Sequence, residues 1–147
     1  MATLAPAADA TPVTVWIGRA LTTLFALFML GASIAPKLLI LFAPGLFDMS
    51  SAAESMTSLG WSLDHLPMIA LFELTFVLLY LYPRTSMLGA VLMTALLGGA
   101  MATHIRVGSP LFSHILFSIY LALFMWGGLW LRSPALRAVF PFRSSQD

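Results

Sequence analysis

Residues 66–82 read LPMIALFELTFVLLYLY, and residues 86–103 read SMLGAVLMTALLGGAMAT, with only Pro83-Arg84-Thr85 between them. Crossing a bilayer takes about 20 apolar residues in a helix, with a working range of about 17–25. Both runs qualify, from Leu66 to Tyr82 and from Thr85 to Thr103. They are continuous rather than alternating, which excludes the strands of a barrel. A lipid-facing backbone must also satisfy its own N–H and C=O groups, so each run has to be a helix. The very short link makes the two helices antiparallel neighbours. This hairpin decides the fold class.

Two further runs complete the set: Val13 to Ala35, apolar except for Arg19, and Leu111 to Leu131, with His114 near its start. The expected fold is therefore an all-α, integral membrane four-helix bundle. Its single domain covers residues 13–142, with spans at 13–35, 66–82, 85–103 and 111–131, and with short tails at 1–12 and 143–147. Pro36 and Pro44-Gly45 are expected to end the first helix, and Gly108-Ser109-Pro110 to separate the third from the fourth. In the long connection, Ser50 or Ser51 could cap a short interfacial helix with Glu54 in its first turn. Residues 1–14 lack the positive start of a secretory signal, so the first span reads as retained behind a mobile Ala/Thr/Pro-rich start.

Composition agrees. Of 147 residues, 60% are hydrophobic and 9% charged, against roughly a quarter charged in soluble chains. Seven Lys+Arg against six Asp+Glu give no basic field, so nucleic acid is not an expected partner. The chain has no cysteine, which removes disulfide exchange, thiolate nucleophiles and iron–sulfur ligation. The lipid bilayer is the one partner that composition requires.

With four spans, both termini and the 83–85 link share one side. That side holds Arg84, Arg132, Arg137 and Arg143, while the other holds Lys37 and Arg106. The positive-inside rule then places both termini in the cytoplasm. Small residues at Ala95, Gly98, Gly99 and Ala102 line one face of the third helix and are expected to form a packing groove for a neighbouring helix. Trp126, Trp130 and Tyr82 read as anchors at one membrane boundary, and Trp61 at the other.

Ionisable residues inside a membrane are costly and rarely idle. Glu73 lies near the middle of the second span, and Arg19 about one and a half turns inside the first. Counted from the span ends, their depths differ by only about 6 Å, so a Glu73–Arg19 ion pair is expected. The alternative is a protonated Glu73 that serves as a proton relay or ligand acceptor. A second group gathers at the opposite ends of the helices: His65, His104 and His114, with Lys37 and Arg106 at the same level. No HxxxH or HExxH spacing occurs, so no metal site is expected there. Ordinary solvation, or a cationic rim for anionic headgroups or a negatively charged ligand, fits that group better. The candidate polar or ligand set is thus Arg19, Lys37, Glu73, His104, Arg106 and His114, with no catalytic residue assigned.

Several motifs in order resemble the DoxX-like family of small four-helix membrane proteins. They are Gly31-Ala-Ser-Ile-Ala-Pro-Lys37-Leu-Leu, Glu54 with Leu59-Gly60-Trp61, Glu73-Leu74, and Tyr82-Pro83-Arg84-Thr85 with Gly89. The most specific stretch is Leu97-Gly98-Gly99-Ala100-Met101-Ala102-Thr103-His104-Ile105-Arg106-Val107-Gly108, and Trp126, Leu129–Arg132 and Pro134–Ala138 fit the ending. Leu38 to Ser50 is longer and more apolar than the corresponding family segment. The resemblance implies a multi-pass protein of a bacterial inner membrane. Its family takes its name from a subunit of a thiosulfate:quinone oxidoreductase, and relatives are linked to redox complexes or membrane-protein assembly. Three roles follow as expectations. The first is a non-catalytic accessory or assembly component, without a cofactor of its own, held by a membrane-protein partner or by homo-oligomerisation. The second is a quinone-linked oxidoreductase subunit, with Glu73, His104 and Arg106 near a quinone headgroup. The third is a small-solute carrier.

Overall fold

The computed structural model describes residues 12–46 and 49–139. All regular structure among them is helical, and four helices are long and apolar enough to cross a membrane. These are α1 (Val13–Phe42), α3 (Leu66–Leu81), α4 (Ser86–Arg106) and α5 (Leu111–Arg132). A short α2 (Met49–Ser58) lies in the long connection, and a six-residue α6 (Pro134–Val139) follows α5. Around the bundle α1 packs on α5, α5 on α4, α4 on α3, and α3 closes on the second half of α1.

The first helix departs from expectation. It does not stop at Pro36 but runs to Phe42, and the break comes at Ala43, followed by a turn at Pro44–Leu46. Proline inside a helix removes one hydrogen bond and crowds the carbonyl four residues back. Here a π-helical turn, Met29–Ile34, widens the helix just before Pro36, with the Ala35 N–H bonded to Leu30 O. The wider turn absorbs the misfit, so the helix continues. This also accounts for the apolar segment after Lys37: Leu38 to Phe42 is more of α1.

The remaining boundaries shift by a few residues. Helix α3 is entered through a turn at Leu63–His65, whose start is capped by Ser62 Oγ accepting from the Asp64 N–H at 3.2 Å. Helix α4 extends to Arg106, and α5 opens with a π-helical turn at Leu111–Ile115 that carries His114. Ser50 and Ser51 lie inside α2 rather than at its cap, and the capping position falls outside the described residues. So do residues 1–11 and Arg143.

On α3 the buried residues are Leu66, Ala70, Glu73, Val77 and Tyr80, spaced alternately four and three apart. That is the seam of helices crossing at a shallow angle. Tyr80, one residue before the end of α3, is fully buried between the helices. Its hydroxyl donates to Met125 O on α5 at 2.9 Å and lies 3.2 Å from Thr22 Oγ1 on α1. Its ring meets Phe25 edge-on at 5.3 Å. Gly89 of α4 presses against its backbone so closely that a Cβ there would lie 2.6 Å from Tyr80 Cα. One residue, through its side chain and its backbone, therefore meets all three other spans. Helices α1 and α5 approach at Gly18 and Gly128, where a Cβ on Gly128 would come within 2.7 Å of Thr22 Oγ1.

The face Ala95, Gly98, Gly99 and Ala102 does something different from what its composition suggests. All four residues face outward, and neither glycine has a neighbour within 4 Å of where a Cβ would stand. The close approaches fall instead at Gly18, Gly89 and Gly128. Beside Gly98 a shallow apolar groove of about 240 Å³ runs between α4 and α5. Trp126 donates to Thr94 Oγ1 at 2.9 Å across that seam, tying α5 to α4.

Candidate functional site

Glu73 is the buried carboxylate of the bundle, 8% exposed. Its partner is not Arg19 but Lys37, whose Nζ lies 3.1 Å from Oε1 and 2.9 Å from Oε2. Ser33 Oγ donates to Oε1 at 3.0 Å. The same ammonium donates to Ser33 Oγ at 2.8 Å and to Ser33 O at 3.0 Å. Its three protons thus face one carboxylate, one hydroxyl and one carbonyl, and each has an acceptor.

Helix geometry explains the choice of partner. Tyr80 lies level with Thr22, and α1 and α3 run antiparallel. Seven residues back along α3, about 10 Å by helical rise, Glu73 is therefore level with the second half of α1. Arg19 lies beyond Thr22 in the other direction, about 15 Å from that level. Its guanidinium instead stacks over the exposed Trp16 ring at 5.2 Å, one turn away. Lys37 starts closer to the other end, but a helical Cα–Cβ bond tilts toward the N-terminus. On α1 that direction leads into the membrane, so the Lys37 stem drops over Ser33 and brings its charge inward.

The other candidate residues do not join this pair. His104 and His114 meet edge-to-face, with ring centroids 5.4 Å apart. His104 Nδ1 is 3.0 Å from Ser109 Oγ, and His114 Nδ1 is 2.8 Å from Ser113 Oγ. Arg106 reaches across to the long connection, where Nη2 donates to Leu59 O at 2.7 Å. It closes over Gly60, which ends the turn after α2 at φ +77° and leaves no room for a side chain beneath Nη2. His65 packs against Trp61, with ring centroids at 5.3 Å. No group of three or more His, Cys, Asp or Glu among the described residues could hold a metal ion.

The predicted set thus divides into a deep pair, a histidine couple, a loop clamp and a surface arginine. Ser33 and Tyr80 were missed. The Ser33–Lys37 spacing of four, behind a helix that continues through Pro36, is the signal for the first. The four–three spacing Glu73–Val77–Tyr80 is the signal for the second.

No curated protein and no solved structure matches this chain. The sequence pattern of the DoxX-like family matches residues 20–128, a stretch that contains Lys37, Glu73, Tyr80 and both histidines of the couple. With four apolar spans around that pair, this multi-pass membrane protein belongs to the DoxX-like family.

Proposed function

We propose that the protein is a non-catalytic component of a complex in a bacterial inner membrane, an accessory or assembly subunit whose intramembrane charges serve its own architecture. One observation carries this reading. Both oxygens of Glu73 accept from Lys37, and Ser33 fills the remaining angle, so the charge is spent joining α1 to α3. A buried pair of this kind is a poor source of net stability, yet removing one partner strands the other. Its role is to fix which faces of the helices meet, and so what the outer surface presents to a partner.

The experiment is purification of wild type and Glu73→Gln in native-lipid discs, with identification of every bound protein and small molecule. The accessory reading expects a stoichiometric membrane partner on wild type, lost in the variant together with thermal stability. A variant that keeps its fold and its partner but loses electron transfer to a bound quinone would overturn it in favour of an oxidoreductase subunit.

A further inference from the structure

Two arginines where α5 ends and α6 follows have buried N–H groups without acceptors. Arg132, the last residue of α5, lies over the Tyr80 ring, with its guanidinium carbon 5.4 Å from the centroid. Arg137 lies on α6, which is fastened by the burial of Leu136 and by Ser133: its hydroxyl accepts from the Leu136 N–H at 3.3 Å and its carbonyl from the Arg137 N–H at 3.2 Å. On both arginines Nε and Nη2 are shielded from water and have no hydrogen-bond partner. Buried guanidinium N–H groups left unpaired are costly, and an aromatic face compensates only part of that cost.

No carboxylate among the described residues can supply the acceptor. Glu54 and Asp64 lie in the connection at the opposite end, and Glu73 is taken by Lys37. The unfilled edge is the same on both side chains. Nε and Nη2 point as a parallel fork, the arrangement that takes two oxygens of one phosphate side-on. Both residues remain partly exposed, at and just beyond the end of the fourth apolar span.

We propose that Arg132 and Arg137 form a binding site for a phosphate oxyanion at the membrane surface, offered either by an anionic phospholipid or as free phosphate. Bound there, it completes the donors of both forks and locks α6 onto the end of α5. This site is independent of the Lys37–Glu73 pair and of the accessory role.

The test places wild type, Arg137→Gln and Arg132→Lys/Arg137→Lys in discs of phosphatidylcholine, then adds phosphatidylglycerol to the discs or inorganic phosphate to the buffer. Thermal midpoint and lipid retained in native mass spectrometry are read. Wild type is expected to gain stability and retain phosphatidylglycerol. Arg137→Gln should weaken that retention about five-fold, the effect of one juxtamembrane cation. The double Lys variant keeps the charge but loses the fork, and should fall between them. Because Arg137 lies outside the four spans, its variant keeps the bundle, and unchanged helical content checks this. A saturable shift with inorganic phosphate alone, lost in Arg137→Gln, assigns free phosphate as the ligand. Equal response of wild type and Arg137→Gln to both additions overturns the site.

Discussion

Lys37 and Glu73 meet because the lysine turns away from its own end of the membrane. Its Nζ reaches both carboxylate oxygens, at 3.1 and 2.9 Å, by lying back over Ser33. A lysine near a helix end ordinarily extends toward water. Here the N-terminal tilt of the Cα–Cβ bond and the Ser33 hydroxyl and carbonyl one turn back favour the inward path.

Breaking this pair from either side should be equally damaging. Lys37→Met or Glu73→Leu alone leaves one buried charge and is expected to cost about 3–5 kcal/mol. The double change Lys37→Met/Glu73→Leu removes both charges and should recover most of the loss. Unfolding of the three variants in micelles titrated with a denaturing detergent checks the order.

Tyr80→Phe keeps the ring and removes one hydroxyl. Met125 O then keeps only the N–H of its own helix, and Thr22 Oγ1 loses its neighbour. One buried hydrogen bond of this kind contributes about 0.5–1.5 kcal/mol. The thermal midpoint should fall, with helical content by circular dichroism unchanged at low temperature.

Gly89 and Gly98 look alike in sequence and should behave oppositely. Alanine at Gly89 would force α4 away from the Tyr80 backbone, whereas alanine at Gly98 meets nothing within 4 Å. Gly89→Ala is expected to cost about 1–3 kcal/mol or more, as overpacking does, and Gly98→Ala less than about 0.5 kcal/mol. Thermal midpoints of the two variants, measured in the same micelle, test the contrast.

Arg19→Gln should be nearly silent. The side chain lies over an exposed indole, a contact worth about 0.5–1 kcal/mol. A loss as large as that of Lys37→Met in the same detergent titration would show a structural role for Arg19.

The four spans were legible because lipid demands long apolar helices, and length alone carries that signal. The turn chemistry was nearly as clear, at Pro83-Arg84-Thr85 and Gly108-Ser109-Pro110. What failed was depth. Val13 and Tyr82, the ends from which Arg19 and Glu73 are counted, do not lie level: Thr22 stands beside Tyr80, so α1 begins about 10 Å further out than α3 ends. That offset carries Arg19 away from Glu73 and brings the second half of the 30-residue α1 to its level. The stripe at Ala95, Gly98, Gly99 and Ala102 misled for another reason. Small residues permit close approach but do not compel it, and here the contacts fell at Gly18, Gly89 and Gly128. Tyr80 does not stand out in a run that is apolar on every side, and only its spacing from Glu73 places it on the seam.

The intramembrane carboxylate is held by Lys37 and not by Arg19. Two double-mutant cycles decide it, Lys37→Met with Glu73→Gln and Arg19→Met with Glu73→Gln, each read as unfolding free energy in the same lipid discs. The Lys37 cycle should show a coupling of at least about 1 kcal/mol, and the Arg19 cycle none beyond about 0.5 kcal/mol. Additive losses at Lys37 together with strong coupling at Arg19 would contradict it.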